Sequence, residues 1–312
     1  MAMKPRRVLV TGGAGFIGVN LVHRLTSKGL AARCYDNFRT GLRADAASAG
    51  YDEIIEGDIL DRDLLAAAVK DCDYVVHLAA QVGVPSSVVD PVSDAKTNVL
   101  GTLNTLLAAR DAGVEGFVLA SSNAPLGNAE PPAHEGVVPS PISPYGASKL
   151  AAEAYCSAFA GSYGLATVAL RFANVYGPFS YRTDSVIATW CKQLLKQEPL
   201  VVYGDGNQTR DFVYVDDLCE GVTAAMLSGA RGVVAHLGTG VETKVVDVAK
   251  AVLANAPNKS VGIEFRPSRS GDIVRNCADI TRARERFGYN PRTRLDEGLA
   301  RTISWFRSYA AA

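Results

Sequence analysis

The first half of the chain alternates short, continuous apolar runs with segments of helical periodicity. RRVLVTG reads as a buried strand, and FIGVNLVHRLTSKG as a helix stopped by Gly29. AARCYDN is a second strand, YDEIIEGDI a third, DRDLLAAAVKD a helix and DYVVHLAA a fourth strand. Residues 92–112 keep a helical pattern throughout, and GFVLASS makes a fifth strand. Strands apolar on both faces and separated by helices predict a parallel sheet covered on both sides. Right-handed crossovers make such a sheet doubly wound. Pro, Ser and Gly crowd residues 123–144, which predicts a long functional loop. YGASKLAAEAYCSAFAGSYG is then a helix and ATVALRFANVYGP one further strand. The last third is irregular, with turns at GDGNQ and PSRSGD and a closing helix near 295–308.

Composition narrows the function classes. The chain has 312 residues, with Lys+Arg and Asp+Glu both at 32. That balance lacks the basic excess of a nucleic-acid binder. The six cysteines are scattered without a C-x-x-C pair, and the four histidines have no ligand spacing. Neither a disulfide framework nor a metal site is expected. The N-terminus runs straight into the first strand without a signal-like apolar stretch. No apolar run is long enough to span a membrane. A cytoplasmic protein with no membrane or nucleic-acid partner is expected.

Between the first strand and the first helix stands Thr11-Gly12-Gly13-Ala14-Gly15-Phe16-Ile17-Gly18. Gly12 permits a tight turn, Gly15 lets the backbone approach a pyrophosphate, and Gly18 allows close helix–strand packing. Phe16 and Ile17 open the helix, whose N-terminus favours anions. The motif follows a strand and opens a helix, the context that gives it meaning. Asp36 ends the second strand, where it can accept both ribose hydroxyls and repel a 2′-phosphate. This favours NAD over NADP, although Arg33 and Arg39 lie nearby. Asn37 follows Asp36, and Asp58-Ile59 after the third strand is placed to meet adenine. Leu78-Ala79-Ala80 ends the fourth strand with small residues that let the backbone pass close to a cofactor. The expected fold is α/β, a Rossmann-type doubly wound parallel sheet with a smaller C-terminal substrate-binding α/β domain. The first domain spans 1–177, joined by about 211–236; the second is mainly 178–312.

Tyr145 and Lys149 are four apart and share a helix face. A phenol is a poor base at neutral pH, but a neighbouring ammonium and a positive nicotinamide ring both stabilise its phenolate. The pair is thus expected to be a tuned acid/base group. Ser122 closes the fifth strand, at the sheet edge where ligands bind.

Taken with the glycine turn, this arrangement resembles the extended short-chain dehydrogenase/reductases, and within them the nucleotide-sugar 4-epimerases. The resemblance runs nearly the whole chain, through TGGAGFIG, DN at 36–37, GDI, HLAAQ, NVLGT, SPYGASK, RFANVYGP, GDGNQTRDFVYVDDL and SRSGD. It implies Tyr145 as catalytic base, Lys149 as its electrostatic partner and ribose ligand, and Ser122 as third member. It implies Asn98 beside the cofactor and Asn174 on the sugar diphosphate. Arg210 and Arg269 would clamp that diphosphate, with Asp272 in the same SRSGD segment. Val201 and Tyr203 would hold the nucleobase. Arg182 lies where glucuronate epimerases meet the sugar carboxylate, and Asn276 where side-chain bulk limits N-acetyl sugars. The partners implied are a UDP-sugar and a second copy of the chain, packed through the Tyr–Lys helix and the helix near 98–112.

Two departures matter. Pro125 and Leu126 replace the usual aromatic turn after the fifth strand. Asn123 and Ala124 stand where related 4,6-dehydratases carry an acidic pair and decarboxylases a glutamate. Elimination needs an acid and a second base, so C4 epimerisation through a transient 4-keto sugar is the expected reaction. The other nucleotide-sugar chemistries are alternatives, and a non-catalytic NAD-binding redox regulator is a weaker one. The candidate substrates are UDP-glucose/galactose, UDP-glucuronate and UDP-N-acetylhexosamine.

Overall fold

The computed structural model describes residues 6–256, 261–268 and 273–311. The strands are β1 (Arg7–Thr11), β2 (Ala31–Asp36), β3 (Glu53–Glu56), β4 (Tyr74–His77), β5 (Gly116–Ser122), β6 (Thr167–Phe172), β7 (Asn174–Tyr176), β8 (Leu200–Tyr203), β9 (Thr209–Arg210), β10 (Phe212–Tyr214), β11 (Val233–Leu237), β12 (Thr243–Lys244) and β13 (Ile263–Arg266). The helices are α1 (Phe16–Ser27), α2 (Arg43–Ala49), α3 (Arg62–Val69), α4 (Val84–Val89), α5 (Pro91–Ala95), α6 (Gly101–Asp111), α7 (Pro144–Tyr163), α8 (Val186–Leu195), α9 (Val215–Leu227), α10 (Val245–Ala254), α11 (Thr281–Phe287) and α12 (Leu295–Ala311).

Seven strands form one sheet in the order β11-β6-β5-β4-β1-β2-β3, parallel throughout. The period-2 side-chain alternation explains why both faces are apolar. Val8 and Val10 of β1 pack with α1 and α9, while Leu9 packs with α3, α6 and α7 on the other face. The strand order reverses at β1, between β2 and β4. Such a switch point opens a crevice at the carboxyl edge of an open sheet. A third core joins α8, α10 and α12 to β8 around Trp190, Val202, Val248 and Phe306. Two short strand pairs beside it, β13-β8 and β12-β9, complete the smaller α/β unit. The expected fold class is the observed one.

Two local expectations are corrected. ATVALRFANVYGP is two strands, not one. Ala173 N–H still bonds Leu237 O at 2.9 Å, but Asn174 N–H bonds Asp211 O at 2.9 Å. The chain therefore changes partner from β11 to β10 and leaves the large sheet. Residues 92–112 are not one regular helix, because a π-helical turn at Lys96–Leu100 separates α5 from α6. α4, between the fourth strand and α5, carries Pro85 near its start. Proline is tolerated in the first turn, where its missing N–H is no loss. All six cysteines are buried and free. Among the described residues, no helix is long and apolar enough to cross a membrane.

Candidate active site

The glycine turn is shaped by excluded volume. Gly12 has φ +69, and a Cβ there would lie 2.7 Å from Ala79 N. A Cβ on Gly18 would lie 2.6 Å from Gly13 O, so α1 can pack against the turn only without it. Tyr51 braces the turn from outside, donating from its hydroxyl to Gly13 O (2.9 Å) and Gly18 O (3.0 Å). Gly15 is the N-cap of α1 and has no side chain to cap the helix, and the first turn at Phe16 and Ile17 carries no acidic residue. A helix start in that condition suits a phosphate. Leu78, Ala79 and Ala80 line the neighbouring crevice edge, half-buried. The donor-rich, side-chain-poor cradle fits a dinucleotide.

Asp36 sits beside this cradle, and it is also structural. Its Oδ2 accepts from Ala14 N at 2.9 Å and its Oδ1 from Phe38 N at 2.8 Å. Burial raises its pKa, opposed by these two backbone bonds. Each carboxylate oxygen keeps accepting capacity beyond its one N–H. Asn37 donates to Asp58 Oδ2 at 2.8 Å, and Asp58 Oδ1 accepts from Leu60 N at 2.9 Å. These two side chains thus bridge β2 and β3 at the rim. Ile59 is buried against Gly101 at the start of α6.

Across the switch point, the first turn of α7 meets the end of β5. Ser143 caps α7, accepting from Gly146 N at 3.1 Å. The Cβ position of Gly146 is 2.6 Å from Ala124 O, so the helix start lies directly on the loop after Ser122. Tyr145 is half-buried and its phenol hydrogen-bonds the Ser122 hydroxyl. Lys149 is buried, with Nζ donating to Ala120 O at 2.9 Å and lying 5.9 Å from the centre of the Tyr145 ring. The structure therefore brings all three predicted members together.

Their electrostatics correct one expectation. Burial pushes the Tyr145 phenol up to about 12; the Ser122 hydrogen bond pulls it down and Asp94 raises it further. The protein alone holds a protonated phenol. Burial also lowers Lys149 to about 8, against the fields of Asp94 and Glu153. Desolvation leads both shifts because each charged form is removed from water.

Sequence reasoning missed several supporting residues. Ser87 Oγ accepts from Tyr145 N at 3.1 Å. Asn98, which was foreseen, accepts from Gln81 N at 2.8 Å and donates to Ser148 Oγ at 3.1 Å. It thus ties the loop after β4 to α7. Beneath the dyad, Glu153 receives Arg171 Nε (2.9 Å), Arg171 Nη2 (2.7 Å) and Ser121 Oγ (2.6 Å). The parallel register, with Ser121 beside Arg171, signals this cluster only once the sheet is known.

The other half of the site is looser. Asn174 is exposed at the start of β7. Arg210 Nη1 donates to Thr209 O (2.8 Å) and Ile273 O (2.7 Å). Arg269 and Asp272 lie outside the described residues. Val201 and Tyr203 are half-buried on β8; Val201 O accepts from Trp190 Nε1 at 2.8 Å. Arg182 is exposed, and its charge acts on the Asp45 carboxyl of α2. Asn123 does not extend free beside Ser122. Its Nδ2 donates to Asn276 Oδ1 at 3.0 Å, and its Oδ1 lies 2.9 Å from His236 Nδ1. Pro125 and Leu126 are buried in a 3₁₀ turn.

Comparison with known proteins follows the same lines. Residues 8–238 match the family model described as NAD dependent epimerase/dehydratase family. A UDP-glucose 4-epimerase of Mycolicibacterium smegmatis is 38% identical, over 97% of this chain and 99% of that one. A UDP-glucuronate 4-epimerase of Thermodesulfobacterium geofontis is 32% identical over 95% of each. The crystal structure of the Thermus thermophilus UDP-glucose 4-epimerase in complex with NAD is 36% identical, with a TM-score of 0.88, covering 96% of this chain and 99% of that one. A seven-stranded parallel sheet with its glycine cradle and a family match across most of the chain lead to one conclusion: this protein is an NAD-dependent enzyme belonging to the NAD-dependent epimerase/dehydratase family.

Proposed function

We propose that the protein interconverts the C4 epimers of a UDP-hexose through a transient 4-keto sugar. The observation that carries this is the Ser122–Tyr145 hydrogen bond, with Lys149 behind it, at the switch-point edge of the sheet. Gly12, Gly15, Phe16, Ile17, Asp36, Asn37, Asp58, Ile59, Leu78, Ala79, Ala80, Asn98, Tyr145 and Lys149 would hold NAD. Bound there, NAD supplies a reversible hydride acceptor and a positive ring. Tyr145 takes the proton of the sugar 4-hydroxyl and returns it to O4 once the 4-keto sugar has turned its other face. Ser122 shares that proton's hydrogen bond and keeps the phenol oxygen aimed at C4. Lys149 stabilises the phenolate once it forms. With its pKa pushed up to about 12 by burial, the Tyr145 phenol is protonated at neutral pH, and the positive ring of bound NAD would favour its phenolate.

Asn174, Arg210 and Arg269 would anchor the diphosphate, with Val201 and Tyr203 at the base and Asp272 nearby. Anchoring the nucleotide while the sugar turns is what lets one acid/base group serve both faces. Asn123 is neutral and engaged with Asn276 and His236, which removes the acid that dehydration requires. The 38% identity to a UDP-glucose 4-epimerase favours a neutral hexose, glucose or galactose. UDP-glucuronate and UDP-N-acetylhexosamine belong in the same test.

The domain division we propose is the one expected: 1–177 with about 211–236 for NAD, and mainly 178–312 for the sugar nucleotide. We also propose a homodimer. Val88, Val89, Val92, Leu100, Tyr155 and Tyr163 expose apolar surface on α4, α5, the π-helical turn and α7. Sedimentation as a monomer at micromolar concentration would remove that assignment.

The test of function is an NMR assay of C4 inversion on the three UDP-sugars. Inversion of UDP-glucose to UDP-galactose is expected. Net loss of water or carbon dioxide from the sugar, with no inversion, would overturn the reading.

A further inference from the structure

The π-helical turn and α5 carry a carboxylate into the core beside the Tyr–Lys pair. Asp94 is 1% exposed. Its Oδ1 accepts from Asn98 Nδ2 at 3.0 Å, and its Oδ2 is buried without a hydrogen-bond partner. Asn98 donates in turn to Ser148 Oγ, and the Ser148 hydroxyl donates to Tyr145 O at 3.0 Å. A chain of three side chains thus runs from Asp94 to the first turn of α7. An ionised carboxylate with an uncommitted oxygen persists in a protein interior only where a cation answers it.

The charged and titratable groups around the pair are few. Lys149 faces Asp94 from α5, Glu153 and Cys156 from its own helix, and His77 from β4. Tyr145 faces Ser122 from β5 and Asp94. Glu153 is committed to both Arg171 nitrogens and to Ser121. His77 lies between Thr11 and Thr102, and burial lowers it to about 3, so it is neutral. Asp94 is the remaining carboxylate.

We propose that Asp94 is a positioning residue for the Tyr145–Lys149 pair, serving as the buried counter-charge of Lys149 and as the anchor that orients Asn98. It touches neither sugar nor cofactor in this role. Its charge resists loss of a proton from either member, so it keeps the phenol protonated until the cofactor's cation is in place. The inference deepens the epimerase reading and rests on Tyr145 being its acid/base group.

The test is an ultraviolet phenolate titration of the NAD-loaded protein. The Tyr145 step is identified by its disappearance in Tyr145→Phe. In Asp94→Asn it is expected to move to lower pH by about half a unit or more, because the opposing charge is gone. The acid limb of the kcat profile should move with it, and Asp94→Glu should return both toward wild type. Asp94→Ser is a second neutral variant should the first not fold. A folded, NAD-loaded neutral variant whose phenolate step stays in place would overturn the proposal, since a merely structural Asp94 lowers kcat without moving the profile. Undiminished turnover in Tyr145→Phe would instead sink the assignment of the acid/base group, while the absorbance shift would still report whether Asp94 acts on that phenol.

Discussion

The two sides of the switch point are built on different physics. The cradle at Gly12–Gly18 is defined by what is absent: a side chain at Gly12 or Gly18 would collide with backbone atoms under 3 Å away. The corner at Tyr145 and Lys149 is defined by what is enclosed: a phenol, an ammonium, two carboxylates and a guanidinium, all drawn from water. Space fixes the first and charge the second. A cradle made of backbone depends on charge mainly through one carboxylate, Asp36, which accepts from Ala14 N. A corner made of buried charge responds to each charge added or removed, which is what a proton-transfer step needs.

Mutations on each side should separate these behaviours. The largest effect is expected for Tyr145→Phe, which removes one hydroxyl and leaves the packing. kcat should fall about 10²–10⁴-fold, as for other general acid–base groups, while NAD content measured after denaturation stays near wild type. Equal loss of NAD would mean that the two sides are not independent. Next comes Arg171→Ala, which strands Glu153 in the core beneath the dyad. A cost of about 3–5 kcal/mol is expected from chemical denaturation; a loss below about 1 kcal/mol would show that the pair behaves like a surface one. The smallest loss of stability should follow Gly12→Ala, about 1–3 kcal/mol for a side chain forced to positive φ. Its NAD affinity should fall at least tenfold, read by fluorescence titration. Intact affinity there would remove excluded volume as the basis of the cradle.

The same division governs what could be read from residues alone. Six of the seven strands of the large sheet and the glycine turn were legible, because continuous apolar runs and a Cβ-free turn are local properties; β11 went unread in the irregular last third. Tyr145 and Lys149 stood out by their spacing, Ser122 by its place at the end of the fifth strand, and the resemblance joined them as a triad; the structure places the three together. The triad's electrostatic state was not legible: a neighbouring ammonium promised an acidic phenol, whereas burial, a tertiary property, holds that phenol near 12. The π-helical turn was invisible because Lys96–Leu100 keeps apolar positions that a 3.6-residue period also accepts. Ser87 and Asp94 went unnoticed for the same reason, since neither sits in a motif and both act through partners distant along the chain. The break at Ala173 depends on which strand lies alongside, β11 or β10, and no local pattern records that.

That change of partner has a consequence for how the sugar half can vary. β7 carries the chain out of the large sheet, and β10 brings it back as the parallel neighbour of β7, Asn174 beside Phe212. The stretch between them leaves at the end of β7 and returns at the start of β10, opposite ends of two parallel strands that lie about 5 Å apart. Closing such a loop costs only about 0.6 kcal/mol more for each doubling of its length. Length can therefore be added in the turns of residues 177–211, while α8 and β8 stay tied to α10 and α12 through the core around Trp190 and Val202.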